Sequence, residues 1–173
     1  MRKEWQYAEV QLVTTVLPVA YDATITVVNE LWNQHTPDLV VHVGVHPAAK
    51  SVLIETQSFN FGYCTKDINS DVPLNNCCSL DTDCSILSTG VPVDQLLQEL
   101  SSQSFSVPVA ASTNPGRFLC AFSYFLSLSK DASRVLFIHI PALSDDVTVS
   151  GIAEVINGVI LHALNMVNKR TSS

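Results

Sequence analysis

The chain has 173 residues, 47% of them hydrophobic, which is enough for one well-buried core and too few for two ordinary domains. Charged residues make up only 14% and the net charge is −7, with no cluster of Lys and Arg, so a nucleic-acid-binding surface is excluded. Residues 1–173 are expected to form a single domain with no long disordered tail.

The segment Met1-Arg2-Lys3-Glu4-Trp5 is not followed by the apolar stretch of a signal peptide. The most apolar segments, near 39–49 and 152–167, look too short or too interrupted to span a bilayer. The expectation is a cytoplasmic protein with no membrane partner. Five cysteines is an odd number, so at least one lacks an intrachain partner, and without a secretory signal they read as reduced thiols.

In chain order, residues 10–17 are rich in β-branched side chains and stop at Pro18, which predicts a strand. From Ala20 to Gln34, Ile25, Val28, Leu31 and Trp32 recur at helical spacing, with Asp22 near the start and Pro37 beyond the end. Leu39 to Val45 is a nearly continuous apolar run, the pattern of a strand covered on both faces. Ser51 to Thr56 can form another extended piece, but the five residues His46 to Lys50 are too few for a parallel crossover. Residues 57–90 hold four of the five cysteines without clear periodicity and read as a long, mostly irregular excursion.

Regular order returns with a helix from Val93 to Leu100 after Pro92, and a strand from Phe105 to Ala111 that runs into Ser112-Thr-Asn-Pro-Gly116. A helix is predicted from Arg117 to Ser129, a strand from Arg134 to Ile140 stopped by Pro141, and a final helix beginning near Ser150. In that helix Ile152, Val155, Ile156, Val159, Ala163 and Met166 form one apolar stripe, suited to packing on a sheet. Alternation of strand and helix at this spacing gives an α/β fold, a mainly parallel sheet with helices on both faces.

In open α/β sheets ligands sit outside the carboxyl ends of the strands, which singles out two residues. Cys120 falls in the first turn of the helix after the 105–111 strand, where the positive end of the helix dipole favours a reactive thiolate. His139 closes the 134–140 strand and could pair with that thiolate. Composition alone also fits a core cysteine between Leu119, Ala121 and Phe122, and a satisfied core histidine. His42, inside the 39–45 strand, reads as structural, and Glu55 reads as a strand-end charge. Cys64, Cys77, Cys78 and Cys84 lack the C-x2-C or C-x4-C knuckle of a structural zinc site. There is no G-x-G-x-x-G, Walker loop or G-x-S-x-G, which removes the usual signals of dinucleotide, nucleotide and serine-hydrolase sites.

Three blocks together resemble the pyroglutamyl-peptidase I family. They are Pro37-Asp-Leu-Val-Val-His-Val-Gly-Val45 through Ser51-Val-Leu-Ile-Glu55 to Asn60 and Gly62-Tyr63; Ser112-Thr-Asn-Pro-Gly-Arg-Phe-Leu-Cys120 with Phe122 and Tyr124; and Phe137-Ile-His139-Ile-Pro141. Pro115 and Ala121 depart from the family's usual Ala and Asn or Asp at those places. The resemblance implies a three-layer αβα sandwich with a mainly parallel sheet, lacking the family's first strand and aromatic loop, for which Met1 to Glu9 has no counterpart. A sheet short of one strand leaves a free edge, so self-association into a homo-oligomer is an expectation too.

The resemblance further implies a cysteine-type omega peptidase that releases N-terminal pyroglutamate from blocked peptides, with Glu55, Cys120 and His139 at the catalytic positions and neither metal nor organic cofactor. The alternative is a relative that keeps the fold but has lost catalysis and serves as a binding or interaction protein.

Overall fold

A computed structural model describes residues 10–79 and 85–171. The expectations about Met1 to Glu9, including the missing opening strand, and about Cys84 lie outside the described residues. The predicted strand at 10–17 does not form. Residues 10–18 have no regular structure, and Val10, Leu12, Val13 and Val16 are exposed. β-branched residues favour a strand only where a neighbouring strand and a buried face receive them, and this segment has neither.

Helix α1 spans Tyr21–Gln34 and is followed by strand β1, Val40–Val45. Strand β2 is Val52–Glu55. The excursion that follows is irregular apart from a small hairpin, β3 (Gln57–Phe59) paired antiparallel with β4 (Ile86–Ser88), and one 3-10 turn at Leu74–Asn76. Helix α2 is Val93–Leu100, as expected after Pro92. Strand β5 is confined to Val109–Ser112 because Pro108, which has no N–H to give a ladder, closes off the earlier part of the expected run. Helix α3 (Leu119–Asp131), strand β6 (Val135–Ile140) and helix α4 (Val149–Thr171) complete the order.

The main sheet has four strands in the order β1-β6-β2-β5. β1 and β6 run parallel, β2 and β5 run parallel, and β2 and β6 meet antiparallel. The short link from β1 to β2 therefore reverses the chain, and β6 lies between them. Covering on both faces belongs to β6, whose Val135 to His139 are all buried. β1 is instead an edge strand among the described residues, with Val43 and Val45 exposed. A continuous apolar run does not by itself distinguish the centre of a sheet from its margin.

Alternation along the strands sends side chains to two different layers. Val52, Ile54, Leu136 and Ile138 join Val155, Val159, Ala163, Met166 and the buried face of α2 in the largest apolar cluster. By length and composition Val149–Lys169 could cross a bilayer, so the helix is longer than the 152–167 segment suggests. Its apolar stripe, however, is occupied by the sheet. On the opposite face α3 packs over β1 and β6, burying Tyr124, Leu128, Val135 and Phe137, and α1 packs outside α3 through Tyr21, Val28, Phe122 and Phe125. The result is an αβα arrangement with a mostly parallel sheet. The face under α3 carries Leu53, Glu55, Phe137 and His139, since Leu53 pairs with His139 and Glu55 with Phe137.

Candidate active site

Glu55 and His139 lie 84 residues apart in sequence and meet across the one antiparallel pairing of the main sheet. They are diagonal neighbours on one face, and the His139 Nδ1 lies 2.8 Å from the Glu55 Oε1. Both are inside: Glu55 is fully buried and His139 is 3% exposed. A carboxylate so placed needs partners. The other oxygen, Oε2, has none among the described residues, so the imidazole is the carboxylate's principal partner. The Glu55 backbone is fixed separately, its carbonyl accepting a 2.8 Å hydrogen bond from the Tyr124 hydroxyl of α3.

Cys120 is the second residue of α3. The turn before it is held by its own side chains: the Asn114 N–H donates to Ser112 Oγ, and Arg117 Nη1 donates to both Asn114 Oδ1 and the Gly116 carbonyl. Gly116 has φ of 82°, a left-handed conformation that a side chain would strain. No side chain caps α3 at Phe118, so the first-turn N–H groups around Cys120 have no intrahelical partner and no side-chain cap. Ser58 Oγ donates to the Ala121 carbonyl at 2.7 Å and ties this turn to β3.

Three side chains thus converge. The His139 ring hydrogen-bonds Glu55 through Nδ1, and the Cys120 side chain lies close enough to act on its charge. Burial disfavours the charged imidazole, but the hydrogen bonds and negative charge of Cys120 and Glu55 outweigh it, and the His139 pKa rises to about 9. The arrangement therefore favours an imidazolium between two groups that can each be anionic. It can activate a thiol, deliver a proton to a leaving group and, through the open helix N-terminus, receive a developing oxyanion.

The sequence-predicted residues Glu55, Cys120 and His139 are all brought together. His42 is not in the group: its Nε2 meets Ser127 Oγ at 2.8 Å, its ring stacks on Phe137, and burial lowers its pKa to about 4, which makes it a neutral packing residue. Cys64, Cys77, Cys78 and Cys120 are all free thiols, and Cys78 is buried with its thiol against the Phe122 carbonyl.

Two contributors escaped the reading of the sequence. A β-carbon at Gly44 would sit 2.8 Å from Cys120 Sγ and 3.1 Å from the Phe137 ring, so the missing side chain is what lets the thiol lie against β1. The signal was present, because a glycine inside a β-branched run marks a close approach. Tyr124 stood in the second resembling block, but nothing in the sequence pointed to its hydroxyl as the anchor of the Glu55 carbonyl.

Comparison with known proteins agrees with the geometry. The family model described as pyroglutamyl peptidase matches residues 3–165. The chain is 34% identical over 160 residues to the human pyroglutamyl-peptidase 1-like protein, covering 92% of this chain and 80% of that one. It is 31% identical over 153 residues to human pyroglutamyl-peptidase 1, covering 88% and 73%. Among solved structures, a mutant pyrrolidone carboxyl peptidase from Pyrococcus furiosus superposes with a TM-score of 0.82 at 18% identity over 94% of this chain and 86% of that one. The pyroglutamyl peptidase I of Bacillus amyloliquefaciens does so with a TM-score of 0.74 at 19% identity, covering 86% and 76%, and both share the fold described above. With a family match over most of its length and relatives above 30% identity, the chain belongs to the pyroglutamyl peptidase family.

Proposed function

We propose that the chain is a cysteine-type omega peptidase that hydrolyses the bond following an N-terminal pyroglutamate, with Cys120 as nucleophile, His139 as acid–base and Glu55 as the group that orients it. The observation that carries this reading is the 2.8 Å Glu55–His139 contact together with the nearness of Cys120, at the amino terminus of α3, to that imidazole. Membership of the family supplies the substrate class.

The chemistry follows from the contacts. The Cys120 thiol gives its proton to His139, and the sulfur attacks the carbonyl carbon of the pyroglutamyl group. Charge gathers on the carbonyl oxygen, which first-turn N–H groups of α3 can meet. His139 then protonates the departing amine, the C–N bond breaks and a thioester to Cys120 remains. Water, deprotonated by His139, hydrolyses the thioester to free pyroglutamate. Glu55 accepts from Nδ1 throughout, which fixes the tautomer and stabilises the charged ring. The four free thiols among the described residues suit a reducing compartment, which supports action on peptides in the cytoplasm.

The test is hydrolysis of a fluorogenic pyroglutamyl amide by the purified chain and by Cys120→Ser. Turnover by the first and none by the second is the expected result. A folded wild-type chain that releases no fluorophore at any substrate concentration overturns the proposal in favour of a non-catalytic relative.

A further inference from the structure

His46 lies just past the end of β1, where its backbone N–H extends the parallel ladder by donating to the Ile140 carbonyl at 2.9 Å. It is two residues beyond Gly44, so strand alternation places its side chain on the same face as Gly44, the face against Cys120 and under α3. The His46 ring stands edge-on to the His139 ring, with centroids 5.4 Å apart. Its Nδ1 is buried and has no hydrogen-bond partner among the described residues. A buried ring nitrogen without a partner carries a desolvation cost that a bound group can remove.

The substrate of the proposed reaction has polar atoms that the three catalytic residues do not use. In that reaction the scissile carbonyl would face the start of α3 and the leaving nitrogen His139. The lactam N–H and C=O of the pyroglutamyl ring remain, and both must be satisfied once the ring enters a site shielded from water. We propose that His46, whose ring lies against that of His139, is a specificity-determining residue and that its unpartnered Nδ1 hydrogen-bonds the lactam amide of the pyroglutamyl ring. The inference rests on the reaction proposed above. The imidazole can donate to the lactam oxygen in one tautomer or accept from the lactam N–H in the other. His46 takes no proton from the thiol in this role; it selects and holds the acyl group.

The test uses two readouts on the full chain, its His46→Leu and His46→Gln variants, and the melting temperature of each. One is hydrolysis of the fluorogenic pyroglutamyl amide. The other is protection of Cys120 against iodoacetamide by 2-pyrrolidone, which needs no turnover. For His46→Leu we expect KM and the protection constant each to rise about tenfold or more, the loss of one buried hydrogen bond, with kcat little changed. The pH profile of Cys120 alkylation without ligand should stay as in the wild type. His46→Gln, which can still hydrogen-bond, should recover part of the affinity.

Equal protection of the wild type and a folded His46→Leu variant overturns the assignment. So does an alkylation profile that shifts while the protection constant holds, because His46 would then act on the thiol and not on the ligand. If His46→Leu does not fold, His46→Ala decides in its place: unaltered or tightened protection rejects the role, and weakened protection with an unchanged alkylation profile supports it. A wild type that is protected by 2-pyrrolidone, loses protection in His46→Leu and yet hydrolyses nothing would refute the activity and leave the lactam contact standing.

Discussion

The thiol of Cys120 is set apart from the other described cysteines by its surroundings. Cys78 is buried and burial pushes its thiol pKa up, whereas Cys120 is partly exposed beside an imidazole that is readily charged. At pH near 6, mass spectrometry after brief iodoacetamide treatment should find Cys120 labelled ahead of Cys64, Cys77 and Cys78. Equal labelling of the exposed Cys64 would mean that access alone decides. The pH dependence follows from His139. Its folded pKa of about 9 lies above the ordinary value of 6.5, so the folded state binds this proton more tightly than the unfolded chain does. That contribution to stability is complete below pH 6.5 and is lost as the pH rises through about 9. Glu55→Gln removes one of the causes of the upward shift, so the alkaline limb of hydrolysis should move to lower pH and the loss of stability over that range should shrink. Profiles of kcat/KM and of thermal melting against pH check both. Gly44→Ala tests the space around the sulfur: the new β-carbon would force the thiol or the Phe137 ring aside. A displacement near 1 Å at a nucleophile costs on the order of 100-fold in rate, against about 1–3 kcal/mol of stability for overpacking. A variant with wild-type kcat would show that the sulfur does not need this position.

Among the elements, α1 depends on a residue far from it in sequence. Ala20 supplies no side-chain cap. Asp67 replaces one from the 57–90 excursion, its Oδ2 accepting the Tyr21 N–H while Oδ1 accepts from Asn69 and Asp71. Desolvation opposes the carboxylate, but the backbone donors from Tyr21, Asp71 and Asn69 prevail and hold its pKa below the usual carboxylate value. A carboxyl group depressed in this way adds stability above its ordinary pKa and loses it as the pH falls through the lowered one. Asp67→Ala should therefore lower the melting temperature at pH 7 and lower it less in acid, as a thermal melt at both pH values would show. The sequence could reveal α1 but not this cap, because nothing local to residues 57–90 says which helix the loop crosses. For the same reason the hairpin of β3 and β4 was read as irregular: its two short strands are separated by a long loop and lack a turn signature between them. Helices with a full apolar stripe, α2 and α4, were the most legible elements.

Across the whole molecule, the same strands serve two purposes on their two faces. Ile138 belongs to the large cluster with α4, and the next residue, His139, belongs to the site. Ile138→Ala should cost about 2–5 kcal/mol in urea unfolding, as for other buried aliphatic truncations, while the folded fraction keeps its KM. A rise in KM would mean that the core and site faces are mechanically coupled. The order of strands was the part of the fold least open to sequence reasoning. Periodicity identifies β1, β2, β5 and β6 one by one, but whether an apolar run lies at the centre or edge depends on partners that the run does not name. The candidate catalytic residues were legible through a resemblance in three separated blocks. The glycine at 44 carried a sequence signal, but the room it gives Cys120 and the position of His46 became visible only when the strands were laid side by side.

The place of β6 between β1 and β2 also bears on how the protein comes to exist as it leaves the ribosome. The first two strands of the sheet are synthesised early and have no pairing with each other. β2 can pair with β5, but its link to β1 must wait for Val135–Ile140, the last strand made among the described residues. Pairings of such long sequence separation are slow to close, and an incomplete chain presents unpaired edges to its neighbours in the meantime. His139 arrives within that closing strand. The proposed nucleophile and carboxylate are thus already in the chain, but the proposed proton carrier is delivered by the event that completes the sheet. A nascent chain halted near residue 130 should therefore bind chaperone and show no preferential alkylation at Cys120, and one released after α4 should show both folding and thiol reactivity emerging together.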